Sequence, residues 1–526
     1  MLPFTHIDAQ WRRAALGDSS LWTTISLKRT TPPLFDMILK CAGNRLFTVY
    51  VDHRGLNRVA KLWGLVHRIK ELHYSIRLGQ LAPFLSSLGP APNLKALHLR
   101  PEVRVGVEQP TSVRLPTIFS GRLPSLRDLT LTNMATWPTG LFRGLVSFEC
   151  GTYDHFPVSP VHVLDVLRES PSIEFLRVVG YYALPEEFHP PAVTLPSLEK
   201  CTLIGQGIAP LIRFMTIPAS TLVFLSNPYD SEVIFPTFDH LSMAPNLRVL
   251  DEVSAVSLSV SDLAVRLQAT NPHGGAVDAE EYELYHLSRD PAIFTNFIRS
   301  SFKCGRTFPC FKTTKAFTLE VDRQRMWDPE EATCFALTIL GFISNLPGIE
   351  EVELRGVPSL DLSPMLESLY SAARSELLCP NLRQLHIEST PVRSPRPFLV
   401  ELSRLLAERK EAGAPFQSVT VMVKCEALIP APEHRTLLTS WRGLVGEVVR
   451  LEYEQTEVNK LSRRRHRNCD SEDEWDSERE ERREWGEDED EEDESDYEED
   501  EDDTGDPDDG CVGWDGWPKG WPKTVE

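Results

Sequence analysis

PNLKALHL, at residues 92–99, reads as a turn followed by a short strand, and the same phrase returns along the chain. It recurs as PSLRDLTL from Pro124, PSIEFLRV from Pro171, PSLEKCTL from Pro196, PNLRVLDE from Pro245, PGIEEVEL from Pro347 and PNLRQLHI from Pro380. Weaker copies are HRIKELHY, RGLVSFEC, STLVFLSN and PFQSVTVM. The first apolar residue of each phrase is an anchor: Ile69, Leu94, Leu126, Leu145, Ile173, Leu198, Leu222, Leu247, Ile349, Leu382 and Phe416. The last two apolar places of the phrase are two residues apart, so they share one face of a strand and the residue between them faces the other way. Recurrence about every 20–35 residues is the mark of a repeat architecture. The interval of 102 residues between Leu247 and Ile349 has room for further units, such as KAFTLEV from Lys315, and for a loop around NPHGGAVD at 271–278.

Between the phrases lie segments with a helix-period apolar stripe: Leu56–Val66, Val161–Arg168, Cys334–Leu346, Pro364–Arg374 and Phe398–Lys410. Strand then helix, repeated, predicts an α/β fold of the irregular leucine-rich-repeat kind over residues 31–455, a solenoid in which each unit buries its apolar face against its neighbours. The repeats are degenerate: the closing Asn of regular leucine-rich repeats is missing, the spacing varies, and after Leu247 the last apolar place is Glu252. The residues that alternate with the buried strand positions are then expected to line a concave surface. We take His73, His98, Arg100, Thr130, Arg177, Glu353, Arg355 and His386 as candidate target-binding residues there, with Thr132, Glu149, Thr202 and Glu388 beside them. Their charges are mixed rather than uniformly basic. A nucleic-acid ligand is therefore not expected, and a protein target is.

The 526-residue chain has a formal net charge of −22, and that charge is concentrated. Residues 470–509 hold 27 acidic and three basic side chains, leaving a net of +2 on all the rest. Such a polyacid has too few apolar residues to fold, so 456–526 is expected to be a disordered tail. It opens on the basic cluster KLSRRRHR from Lys460, a pattern that can act in nuclear import, and it closes on CVGWDGWPKGWPKTVE, where three Trp follow Gly. The ten cysteines form no CxxC pair, and the fourteen histidines are dispersed. No metal or cofactor is expected. No phosphate-binding glycine loop, HExxH helix or GxSxG elbow is present, so no enzymatic activity is expected. The N-terminal residues lack the apolar core of a signal peptide, and no apolar run approaches the length of a membrane span. The expected location is cytoplasmic, nuclear or both, without a membrane partner.

Residues 5–27, THIDAQWRRAALGDSSLWTTISL, resemble the C-terminal half of an F-box: a helix ending in Trp-Arg, an alanine-rich turn, then Ser-x-Leu-Trp and a short strand. The matching positions are Ile7, Trp11, Arg12, Ala15, Leu21, Trp22 and Ile25. The chain beyond residue 27 resembles the large family of fungal F-box proteins with degenerate leucine-rich repeats, through LFDMILKCAGNRLFTVYVD at 34–52, VHRIKEL from Val66 and the repeated phrase itself. The family's box begins with a Leu-Pro helix well upstream of its Trp. Leu2-Pro3 stand too close to Trp11 to be that start, so residues 1–30 correspond to an N-terminally truncated box.

The resemblance implies a substrate-recognition subunit of a cullin-RING ubiquitin ligase. A Skp-type adaptor and a cullin scaffold would be its partners, and an unidentified protein substrate would be held by the repeats. Ile7, Trp11, Leu21 and Trp22 would contact the adaptor or cap the first repeat. The alternative is a leucine-rich-repeat protein whose acidic tail binds basic nuclear proteins such as histones, outside any ligase.

Overall fold

The structure is a computed structural model. It describes residues 9–52, 62, 64–75, 85–86, 88–101, 114–152, 158–180, 190–205, 209–227, 247–250, 252–261, 264–282, 313–322, 339, 342–343, 346–357, 366, 379–389, 395–425 and 430–455. Ile7, the tail 456–526 and most of the expected helices Leu56–Val66, Cys334–Leu346 and Pro364–Arg374 lie outside these residues. The chain divides into two units, Met1–Val458 and Asn459–Glu526.

The fold is mixed α/β, with a 17-stranded sheet that is mostly parallel. Strands β1 (Thr24–Ser26), β2 (Phe47–Asp52), β3 (Ile69–Ser75), β4 (Ala96–Leu99), β5 (Asp128–Thr132), β6 (Ser147–Gly151), β7 (Phe175–Val179), β9 (Lys200–Ile204) and β11 (Leu222–Asn227) lie side by side in chain order, all parallel. Strands β8 (Val193–Thr194) and β10 (Met215–Thr216) form a separate parallel pair. The order then breaks once. Strands β12 (Ala255–Ser261), β13 (Ala264–Thr270) and β14 (Ala276–Tyr282) form an antiparallel meander that enters the sheet backwards: β14 pairs with β11, β13 with β14, and β12 with β13. Parallel order resumes with β15 (Ala316–Asp322), β16 (Glu351–Val357), β17 (Gln384–Ser389), β18 (Ser418–Cys425) and β19 (Val448–Gln455).

Five α-helices occur among the described residues: α1 (Ala9–Gly17), α2 (Pro32–Ala42), α3 (Pro160–Glu169), α4 (Arg396–Glu411) and α5 (Ala431–Arg442). Four of them carry proline in the first turn, where its fixed φ suits helix entry and its missing N–H costs nothing. Helices α3 and α4 cover the segments predicted from periodicity.

The repeated phrase acquires a physical meaning here. Its anchors are buried: Ile69, Leu94, Leu126, Leu145, Ile173, Leu198, Leu247, Ile349, Leu382 and Phe416 all lie in the core. In four of the phrases the polar residue after the proline ties its turn back to the preceding repeat. Asn93 Nδ2 donates to His67 O at 2.7 Å, Ser125 Oγ to Pro92 O at 2.6 Å, Ser172 Oγ to Leu145 O at 3.2 Å and Asn381 Nδ2 to Pro347 O at 3.0 Å. Where Asn or Ser fills the place, its short side chain can reach one turn back and satisfy a carbonyl; after Pro347 the place is taken by Gly348.

Two expectations need correction. Leu222 is not an anchor. It is exposed on the solvent face of β11, and Thr221 takes the buried turn position, its hydroxyl donating to Leu198 O at 2.7 Å. One fewer residue separates turn from strand there, so the alternation slips by one. The stretch 271–278 is also not simply a loop. Residues 271–275 make a tight turn, and 276–278 already belong to β14.

Candidate interaction face

Strand alternation and register, which shifts only between Phe47 and Thr48 and between Arg355 and Val357 among the described pairings, generate one row of mostly polar side chains across the sheet. Two rows of side chains point into the core. One runs Ile25, Val49, Leu72, Leu97, Leu129, Phe148, Leu176, Cys201 and Val223; after the meander it continues through Phe317, Val352, Leu385 and Val419. The row between the core rows points the opposite way. It reads Ser26, Tyr50, His73, His98, Thr130, Glu149, Arg177, Thr202, Phe224, Asp278, Gln268, Ser257, Thr318, Glu353, His386, Thr420 and Arg450. Six of the eight candidate target-binding residues therefore stand in one line. Arg355 lies one pleat further along, and Arg100 follows directly after β4, its N–H bonded to Tyr74 O.

The line has two chemically distinct ends. Near the N-terminus, Tyr50, His73 and His98 form a continuous stack, with ring centroids 4.3 Å apart at both contacts and planes within 12° of parallel. His98 Nδ1 lies 2.9 Å from Thr130 Oγ1. Burial is the main cause holding both histidines below their ordinary pKa; for His73 the neighbouring His98 adds to it, for His98 the Arg100 guanidinium does. Glu71, beside them, is held low by its hydrogen bond from Lys70, whereas burial and the Glu71 charge push Asp128 up. At the other end the face carries interlocked charges. Arg355 Nε donates to Glu353 Oε1 at 2.9 Å, His386 Nε2 lies 3.8 Å from the same oxygen, and Thr318 Oγ1 reaches Glu353 Oε2 at 3.4 Å. Lys424 Nζ donates to Glu388 Oε1 at 2.7 Å, which lowers the pKa of that carboxyl. Between the two ends, Arg177 Nη1 pairs with Glu149 Oε1 at 2.9 Å. Beside it, Phe175 and Leu222 expose large apolar side chains in one row, on either side of Lys200.

Short side chains sink between their longer neighbours. Thr130, Thr132 and Thr202 are each less than a tenth exposed, so Thr130 positions His98 rather than offering itself to a ligand. Sequence reading also missed Tyr50 as the third ring of the stack and the pair that Arg266 Nε forms with Asp278 Oδ1 at 2.8 Å in the meander. The signal for Tyr50 was present in FTVYVD, whose alternation places Tyr50 on the same face as His73.

The N-terminal candidates separate cleanly. Helix α1 leads into a 3-10 turn at Ser19–Trp22, capped by the Asp18 carboxylate accepting from Ser20 N at 2.9 Å. Trp22 is 2% exposed and its Nε1 donates to Ala15 O at 2.6 Å, so it fills the end of the core. Trp11, 60% exposed, and Leu21, 36% exposed, face solvent together with Leu16. Among the described residues no cluster of three or more His, Cys, Asp or Glu side chains is arranged to hold a metal, and no helix is long and apolar enough to cross a membrane. Comparison with protein-family models, with curated proteins and with solved structures finds no match to this chain.

Proposed function

We propose that this chain is the target-recognition subunit of a cullin-RING ubiquitin ligase: an irregular leucine-rich-repeat-like solenoid that binds a protein target on its sheet face and a Skp-type adaptor through the remnant of an F-box. The observation that carries the reading is the division of labour between the two N-terminal tryptophans. Trp22 is consumed by the fold, whereas Trp11, Leu16 and Leu21 hold a large apolar area in water at one end of the sheet. Large apolar side chains left exposed near the start of the fold fit a docking role. The continuous polar row, with its aromatic stack and interlocked charges, supports a protein target rather than a polyanion. The subunit would then contribute proximity, holding a target lysine at high effective concentration beside a ubiquitin-charged enzyme recruited by the cullin.

The test is binding to a Skp-type adaptor at near-physiological salt. The Trp11→Ala/Leu21→Ala double variant should bind at least about tenfold more weakly, equivalent to about 1.4 kcal/mol, with an unchanged melting curve. Unchanged affinity would overturn the reading. The polyacid at 470–509 supports a second one, capture of basic nuclear proteins, and it predicts binding that collapses with added salt because exposed charges are screened over about 8 Å at physiological ionic strength.

A further inference from the structure

The ring stack on the interaction face is tethered unevenly. His73 on β3 lies between Tyr50 on β2 and His98 on β4, with centroids 4.3 Å apart on both sides and planes 12° and 8° from parallel. His98 is pinned at one end: its Nδ1 lies 2.9 Å from Thr130 Oγ1. A hydroxyl can both donate and accept, so that bond serves the ring in either protonation state. The His73 ring makes no hydrogen bond among the described residues, and contact with its two neighbours holds it in place. Tyr50 is 43% exposed and both histidines are half-buried, so protons from solvent reach the stack. The charged groups around it, among the described residues, are Lys28 just after β1, Asp52 on β2, Lys70 and Glu71 on β3, Arg100 after β4 and Asp128 on β5. Lys70 Nζ and Glu71 Oε1 pair at 2.7 Å, and Ser26, level with Tyr50 on β1, is neutral.

A first proton and a second meet different surroundings here. Burial and the Arg100 charge oppose a proton on either histidine, while Glu71 favours it. A single imidazolium within the stack is also attracted by the face of an aromatic neighbour. Two imidazoliums would lie face to face at 4.3 Å, partly shielded from water, where like charges repel strongly. We propose that the stack is a two-proton switch on the interaction face: it keeps its shape with one proton, and the second drives the His73 ring out from between Tyr50 and His98. His73 is the ring that leaves because Thr130 retains His98. The switched form differs in shape as well as charge. With His73 turned out, Tyr50 and His98 face each other across two strand spacings, about 9–10 Å, in the middle of the N-terminal part of the row. The switch is a property of the face, whatever binds there.

The test is a nuclear magnetic resonance titration of the full chain, labelled at histidine and tyrosine, across the ordinary histidine pKa of about 6.5. Signals of Tyr50, His73 and His98 are assigned by single replacements, and circular dichroism follows the sheet in parallel. The two histidines should titrate in two coupled steps. The ring contact between Tyr50 and His73 should persist through the first step and be lost in the second, while the sheet signal stays unchanged. In His98→Gln the second charge is absent. His73 should then titrate in one step, at higher pH than in the unaltered chain, and its contact with Tyr50 should survive to the lowest pH at which the sheet is intact. Independent titration of the two rings, with His73 unmoved by His98→Gln, would overturn the proposal. So would loss of the Tyr50 contact in the first step, its loss over the same pH range in His98→Gln, or its loss only when the sheet itself melts.

Discussion

Arg409 is fully buried, which is rare for a guanidinium. Its Nη1 and Nη2 atoms donate to Cys379 O at 3.3 and 3.2 Å, its Nη2 also to Leu382 O at 2.9 Å, and the group stacks 4.7 Å over the Phe416 ring. One side chain on α4 thus clasps the turn before β17 and the anchor of β18. Burial lowers its pKa, but a guanidinium stays charged. Arg409→Met should cost about 2–4 kcal/mol in urea unfolding, because two buried carbonyls lose their donor. Arg409→Lys should recover little of that, since a point ammonium cannot span both carbonyls. At the same scale, the stack of Tyr50, His73 and His98 makes stability depend on pH. Both histidines have pKa values depressed in the folded state, so the unfolded chain binds their protons first. Their contribution is whole above the ordinary histidine value of about 6.5 and is lost as pH falls below it. Arg100 opposes protonation, and Glu71 favours it. Melting temperature followed from pH 7.5 to 5.5, a window referred to that same value of about 6.5, should fall. In His73→Gln/His98→Gln the fall should be shallower.

At the scale of elements, the meander is the departure from parallel order, and one residue organises it. Asn271 Nδ2 donates to Ala219 O at 2.7 Å and Val249 O at 3.0 Å, while its Oδ1 accepts from His273 N at 2.9 Å and Gly275 N at 3.0 Å. All four capacities of the amide are used, and the turn between β13 and β14 is tied to two earlier segments. Gly275 packs so close to Ala219 O that a Cβ there would displace backbone. Asn271→Ala should destabilise by about 2–4 kcal/mol through unmet buried groups, while circular dichroism retains its strand signal. The other decisive element is the N-terminal cap. Trp22→Ala should cost about 3–5 kcal/mol through the cavity it leaves, whereas Trp11→Ala should stay within about 0.5 kcal/mol. Thermal melts of the two variants check both statements, and comparable losses would contradict the assignment of the two tryptophans.

For the whole molecule, charge is as informative as shape. The acidic run at 470–509 carries a net −24 against +2 for everything else. Deleting Asn459–Glu526 should abolish low-salt retention of basic proteins such as histones and leave adaptor affinity within about twofold, a difference of about 0.4 kcal/mol. Pull-downs on the two chains in parallel separate the two functional readings. Loss of both activities together would mean that the tail takes part in adaptor recognition.

What the amino-acid order determined by itself is the periodic part. Anchors, strand faces and the shared side of His73, His98, Arg177, Glu353 and His386 come from a two-residue alternation that each phrase restarts after its proline. Helices α3 and α4 came from their 3.6-residue stripes for the same local reason. Only the tertiary structure decided the rest. The antiparallel entry of β12–β14 depends on pairing between strands that no local signal links. The slip at Leu222 depends on how many residues one turn uses. Which tryptophan is buried depends on what stands opposite each, and the Tyr50–His73–His98 stack exists because register brings three strands level. Periodicity is written along the chain and can be read there; contact is a property of distance between segments, and it comes into being only when they meet.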